Sequence, residues 1–157
     1  MSGYIIGVDV GTSGAVVVLQ SPQYPFVIDC MRMPTLKAGK ATRVDCAALA
    51  RFLQEFDTGT VYIESVHSMP GQGVSSSFSF GHACGAVEGV CAALMMPYAL
   101  VTPQRWKKHA GLIGTDKDAS RSAAIQRWPK WEALEKKGAG QAYADAAWIA
   151  ICGASNN

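Results

Sequence analysis

The sequence lacks a strong net charge, paired cysteines and long apolar runs, and the last two of these exclude classes of protein. The net charge is only +2, so the total gives no argument for or against a nucleic-acid partner. The five cysteines are odd in number and contain no C-x-x-C pair, which argues against a disulfide framework and a zinc site. No stretch approaches the roughly 20 apolar residues that cross a membrane, and the apolar start has no charged leader. We therefore expect a cytoplasmic protein with no membrane partner.

The charge is unevenly distributed along the chain. The segment 101–137 holds nine basic residues against four acidic ones, whereas the remainder is net negative. A basic segment on a nearly neutral protein suits a polyanionic partner such as DNA, and a solvated basic helix face explains it equally well.

Apolar periodicity and the turn residues predict a single α/β domain spanning residues 1–157. The predicted strands are Tyr4–Val10, Ala15–Gln20, Phe26–Met33, Thr60–Glu64 and Tyr98–Val101. The predicted helices are Asp45–Phe56, Phe78–Met96, Pro103–His109, Lys117–Trp128 and Ala142–Cys152. Loops are predicted over Lys37–Lys40, Ser65–Ser77 and Gly138–Gly140. This order favours a central five-stranded mixed sheet flanked by helices.

Three acidic residues lie in apolar settings where packing alone would not place a charge. Asp9 lies between two valines in the first strand, Glu64 ends the fourth strand, and Asp145 lies in an alanine-rich helix. A carboxylate is costly to bury unless it is paired or binds a metal ion. A solvent-exposed strand or helix face explains one such residue well, but explains three of them poorly.

Carboxylates from separate elements are ligands suited to Mg²⁺ or Mn²⁺. Two such ions, roughly 4 Å apart, can activate water and stabilise the leaving oxygen in phosphodiester hydrolysis. The pattern therefore indicates a metal-dependent enzyme with two ions in each active site.

Four stretches resemble the RuvC family of Holliday-junction resolvases, in particular its phage-type members. They are Gly7–Gly14, Tyr62–Val66, Met69–Phe78 and Ala144–Ala150, and their order and separation match the family along nearly the whole chain. The resemblance implies a ribonuclease H-like fold, a homodimer, and Mg²⁺-dependent paired nicking of four-way DNA junctions in a bacterium or a phage-infected cell.

The resemblance also implies roles for individual residues. Asp9, Glu64 and Asp145 match the positions of metal ligands, and Lys107 and Lys117 match basic residues near the scissile phosphate. The family has a further Asp or His about one turn before the last acid, where this chain has Gln141 and Ala142. Gln141, Asp116 or Asp118 are the alternatives for this fourth ligand.

A second group of residues is predicted to contact DNA. In the family, the loop after the Glu64 strand enters the junction, and apolar groups there can hold bases apart. A loop that crosses the surface and basic helix faces that meet only water are the alternatives. The predicted DNA contacts are His67, Met69, Gln72, Ser75, Lys107, Lys108, Lys117 and Arg121.

Other functions and contacts stay open at this point. The same fold could serve a nuclease of RNA or of flap and other branched DNA, or a junction-binding protein with weakened catalysis. The D-x-G-T motif at Asp9–Thr12 also occurs in sugar kinases and actin-like ATPases, but this chain lacks their length and a second such motif. Gly81, Gly85 and Gly89 predict either a dimer face or close packing against the protein's own sheet.

Overall fold

The computed structural model describes residues 3–20, 23 and 25–155. The strands are β1 (Tyr4–Asp9), β2 (Ala15–Gln20), β3 (Phe26–Arg32), β4 (Thr35–Ala38), β5 (Ala41–Val44), β6 (Thr60–Glu64) and β7 (Tyr98–Val101). The helices are α1 (Cys46–Gln54), α2 (Val74–Ala93), α3 (Pro103–His109), α4 (Ala119–Arg127), a 3-10 turn (Glu132–Leu134) and α5 (Lys137–Ala154). Among these helices, none is long and apolar enough to cross a membrane.

Five strands form the central sheet in the order β3-β2-β1-β6-β7. The pairs β1–β2 and β2–β3 are antiparallel, whereas β1–β6 and β6–β7 are parallel. The predicted five-stranded mixed sheet is therefore confirmed. Because β1 and β6 run parallel, their carboxyl ends lie side by side at one edge of the molecule.

Strand alternation gives the sheet two different buried faces. On one face, Ile6, Val8 and Ile63 pack with α1 and α2. On the other face, Ile5 and Tyr62 pack with α5 and with Trp106 of α3. Successive strand residues point to opposite faces. Asp9 and Glu64 therefore belong to the face that α5 covers.

Two predicted loops are wrong in the structure. The polar segment Lys37–Lys40 lies within a hairpin of β4 and β5, with Gly39 at a positive φ of 63° in its turn. The glycines Gly138 and Gly140 lie inside α5 rather than before it. A Cβ on Gly140 would lie 2.5 Å from the carbonyl oxygen of Leu134, so this helical position needs a glycine because the preceding turn lies against it.

The start of α2 also differs from the prediction. The helix begins at Val74, one turn before the predicted Phe78, and it ends at Ala93 rather than Met96. Its first turns are rich in serine, a residue that competes for backbone hydrogen bonds and therefore weakens the helical signal in the sequence.

Candidate active site

The three predicted carboxylates lie at one end of the sheet. Asp9 is the last residue of β1 and Glu64 is the last residue of β6. The parallel register pairs Val8 with Ile63, so Asp9 and Glu64 are the next residues on these neighbouring strands. Asp145 lies on α5, the helix that covers this face of the sheet.

Glycine at position 7 allows α5 to lie against the sheet. A Cβ on Gly7 would lie 2.8 Å from the carbonyl carbon of Ala146 and 3.0 Å from the Cβ of Ala150. Carbon atoms in ordinary contact are about 3.5–4.0 Å apart, so no side chain fits there. The residue next to Asp145 is therefore in direct contact with the strand that carries Asp9.

Each of the three carboxyl groups has a raised pKa. For Asp9 the main cause is burial, followed by the negative charges of Glu64 and Asp145, with Arg32 partly opposing them. Burial also raises the pKa of Glu64, and it raises the pKa of Asp145 to about 6, against the lowering effect of Lys107 on both. Burial and mutual repulsion disfavour the ionised forms, and a bound cation would relieve both costs.

Two of the carboxylates accept hydrogen bonds from residues that sequence reasoning missed. The Trp106 indole N–H donates to Oε2 of Glu64 at 2.7 Å, and the buried Ser120 hydroxyl donates to Oδ1 of Asp145. Nothing in the sequence marks Trp106 among the four tryptophans, or Ser120 among the serines, because both contacts depend on α3 and α4 packing beside α5.

Two adjoining cavities form one cleft around these groups. The first, of about 330 Å³, is lined by Glu64 and Asp145, and the second, of about 950 Å³, is lined by Asp9 and the turn that follows it. Lys107, Lys117 and Gln141 line both cavities. The structure thus brings the five predicted catalytic residues to one cleft.

The candidates for a fourth ligand differ in where their side chains lie. Ala142 is only 6% exposed and packs in the core between α5 and the sheet. Gln141, four residues before Asp145, lines the cleft instead, because residues four apart share a helix face. Asp116 also lines the first cavity, whereas the Asp118 carboxylate is paired with Arg121.

The three carboxylates do not form a closed metal cage. Within residues 3–20, 23 and 25–155, no group of three or more His, Cys, Asp or Glu side chains is placed to hold a metal ion between them. The donor chemistry nevertheless fits a hard divalent cation, since the oxygens come from carboxylates that repel one another and Gln141 adds a neutral amide oxygen.

The predicted DNA contacts fall into separate places. His67, Met69 and Gln72 line a third cavity of about 370 Å³. Phe80 lines both this cavity and the one that contains Asp9. Ser75 is exposed in the first turn of α2. Their contact with DNA stays a prediction.

Lys108 and Arg121, the two remaining predicted DNA contacts, differ in how many contacts they make within the protein. Lys108 is exposed on α3 and lines none of the three cavities described above. Arg121 donates to both carboxylate oxygens of Asp118 and to the carbonyl oxygen of Leu134 at 2.9 Å. These protein contacts hold the Arg121 side chain in place, and its contact with DNA stays a prediction.

The glycine row on α2 faces away from the sheet. Gly81, Gly85 and Gly89 are exposed, and a Cβ on any of them would meet no atom within 4 Å in the described part of the chain. Close packing against the protein's own sheet is therefore the wrong explanation for these glycines. The dimer face stays a prediction.

The fold is shared with solved RuvC structures. A structure described as T. thermophilus RuvC in complex with Holliday junction substrate is 17% identical, with a TM-score of 0.68 over 96% of this chain and 91% of that one. A Thermus thermophilus RuvC structure is 15% identical, with a TM-score of 0.60 over 95% and 92%. No protein-family model matches the sequence, and no curated protein does. These neighbours establish a RuvC-like fold and leave the phage-type membership a prediction.

Proposed function

We propose that this protein is a divalent-metal-dependent endonuclease that resolves four-way DNA junctions by paired phosphodiester hydrolysis. The observation that carries the proposal is the cleft itself, in which three carboxylates with raised pKa values meet two lysines. The fold supports the substrate, since one neighbour is a RuvC in complex with a Holliday junction substrate.

The metal-binding residues in this proposal are Asp9, Glu64 and Asp145. Gln141 supplies a neutral oxygen between the two cavities, which fits two Mg²⁺ or Mn²⁺ ions that share the cleft. Bound ions would supply Lewis acidity to the phosphate and to the attacking water. Mg²⁺ held by a few carboxylates would keep coordination positions for water and phosphate oxygens.

Lys107 and Lys117 bind the scissile phosphate in this proposal. Each lysine lines the cavity that holds Glu64 and Asp145 and also the cavity that holds Asp9. Lys107 lies close enough to Glu64 and Asp145 to lower their pKa values. A fixed cation beside the phosphate stabilises the negative charge that develops in the transition state. Lys107 also partly opposes the rise in the pKa values of these two carboxyl groups.

Paired cleavage requires two active sites, and we assign the second to a homodimer. The exposed glycines of α2 permit the close approach of a second α2 helix, and the cavity beside His67 and Met69 lies next to the active-site cleft through Phe80. Junction bases would enter that cavity from the DNA held in the cleft. Membership of the phage-type branch of RuvC belongs to the same proposal.

A cleavage assay on a synthetic four-way junction tests this function. Wild type and Asp9→Asn are incubated with Mg²⁺ beside a matched duplex, a flap and an RNA–DNA hybrid. We expect symmetric nicks on the junction alone, lost in the variant by 100-fold or more, because one ligand of the cleft no longer carries charge. Preferential cleavage of the flap or the hybrid would contradict the proposed junction substrate. It would remain consistent with the fold and with metal-dependent hydrolysis.

One observation favours a second candidate function, a junction-binding protein with weakened catalysis. Ala142 occupies a position where the RuvC resemblance leads us to expect an Asp or His, and it is buried in the core. The metal site then has one charged ligand fewer. Tight junction binding without cleavage in either Mg²⁺ or Mn²⁺ would favour this candidate.

A further inference from the structure

Two residues outside the predicted ligand set are in contact with the metal-binding carboxylates. Trp106 lies on α3 and is 2% exposed, and Ser120 lies on α4 and is 5% exposed. Each donates one hydrogen bond to one carboxylate oxygen, Trp106 to Glu64 and Ser120 to Asp145. Neither is a charged group or a metal ligand, and neither has a role in the function proposed above.

Trp106 contacts Lys107 as well as the Glu64 carboxylate. The Lys107 Nζ lies 5.5 Å from the centroid of the Trp106 ring, within the range of a cation–π contact. The indole N–H points to Glu64 while the ring lies beside the lysine. One buried ring therefore holds one oxygen of the Glu64 carboxylate and lies beside the Lys107 cation.

The hydroxyl and the backbone carbonyl of Ser120 both form hydrogen bonds with side chains of α5. Its hydroxyl donates to Asp145, and its carbonyl oxygen accepts from the Trp148 indole N–H at 3.1 Å. Asp145 and Trp148 are three residues apart on one helix face. The serine therefore cannot rotate or shift without breaking a buried contact, and it locks the Asp145 carboxylate to the body of the protein.

We propose that Trp106 and Ser120 are positioning residues that orient Glu64 and Asp145 for divalent metal binding. A carboxylate with one oxygen held by a fixed donor presents its other oxygen at a fixed position to a cation. Outer-shell partners of this kind typically change metal affinity or activity by about 10- to 100-fold. The inference rests on the proposed function for the identity of the ligands.

The test measures Mn²⁺ binding by isothermal titration calorimetry, without DNA. Trp106→Phe keeps most of the ring and removes the donor, Ser120→Ala removes the hydroxyl, and Ser120→Thr restores it. We expect each of the first two to weaken Mn²⁺ binding by about 10-fold, and Ser120→Thr to recover most of the loss.

Matched controls separate positioning from general damage to the fold. Trp128→Phe also removes an indole N–H, one that donates to the Pro25 carbonyl oxygen at 2.9 Å. Ser155→Ala also removes a hydroxyl, one that donates to the Ile151 carbonyl oxygen at 2.7 Å. Neither Trp128 nor Ser155 lines either of the two cavities around the three carboxylates. We therefore expect both control variants to bind Mn²⁺ as tightly as wild type does. Circular dichroism and thermal unfolding identify any variant that fails to fold.

The outcomes distinguish this inference from the proposed function. Folded Trp106→Phe and Ser120→Ala proteins that bind Mn²⁺ as tightly as wild type would overturn the inference, even if wild type cuts junctions. Weakened binding in both variants would support it, even if wild type neither binds nor cuts a junction. A wild-type protein that binds no Mn²⁺ would overturn both the inference and the metal dependence of the proposed function.

Discussion

The contact between Gly7 and α5 allows a direct test of how the site is assembled. In Gly7→Ala the new methyl group would lie 2.8 Å from the carbonyl carbon of Ala146, where about 3.5 Å is the normal limit. The carbonyl oxygen of Ala146 lies nearer still to the added methyl group, so the helix must move outward by roughly 1 Å or more, and Asp145 moves with it. Forcing an extra methyl group into a packed interface typically costs about 1–3 kcal/mol.

The expected effect on this protein is large on function and moderate on stability. A loss of about 2 kcal/mol lowers the melting temperature by roughly 5 °C for a chain of this size. A misplacement of about 1 Å in a catalytic group can cost on the order of 100-fold in rate. We therefore expect Gly7→Ala to remain folded and to lose most of its Mn²⁺ affinity and junction cleavage.

The control is the same substitution where space is available. A Cβ on Gly138, in the first turn of α5, meets no atom within 4 Å in the described part of the chain. Gly138→Ala should leave the melting temperature unchanged or slightly raised, since alanine favours the helix. If Gly7→Ala matched Gly138→Ala in both melting temperature and Mn²⁺ binding, the close contact would not be what places Asp145.

Three further predictions follow from the site and from α2. Gln141→Glu should tighten Mn²⁺ binding on the order of 10-fold because it adds a carboxylate to the cleft. Ala142→Asp should instead unfold the protein, or lower its free energy of unfolding by several kcal/mol in denaturant titrations, because it buries a charge. In EDTA, the melting temperature should rise as the pH falls from 7 to 5, since the pKa of Asp145 is about 6 in the folded state and the folded protein takes up protons that the unfolded chain does not. Asp145→Asn should flatten that rise, and an equal slope in both proteins would contradict the raised pKa. Gly85→Arg should convert a dimer to a monomer in light-scattering measurements without lowering the melting temperature of the monomer, because its Cβ meets open space; an unchanged mass would contradict the α2 dimer face.

The sheet was predictable because its signal is local. Five runs of β-branched and apolar residues mark the central strands, and all five are strands in the structure. The hairpin of β4 and β5 was missed because its strands are four residues long and only Val44 among their residues is buried, so they carry little apolar alternation. The glycines at the start of α5 signal a loop in the sequence, and the packing of the 3-10 turn against Gly140 explains why one helical position there carries no side chain.

The carboxylates were predictable for a different reason. A charge among valines or alanines is costly, so Asp9, Glu64 and Asp145 are visible in the sequence as exceptions. Trp106 and Ser120 give no such signal, because an apolar-looking tryptophan and a small serine are ordinary residues on a helix. Their roles depend on the placement of α3 and α4 beside α5, which only the tertiary structure gives.

The packing of α5 on β1 also has a consequence for the order of events during synthesis. The strand that carries Asp9 is translated first among the described strands, while the helix that carries Asp145 follows every one of them. Contacts between such distant parts of a chain form late in folding. A nascent chain would therefore hold Asp9 and Glu64 without Asp145, and the three carboxylates would come together only after α5 has been synthesised and has docked.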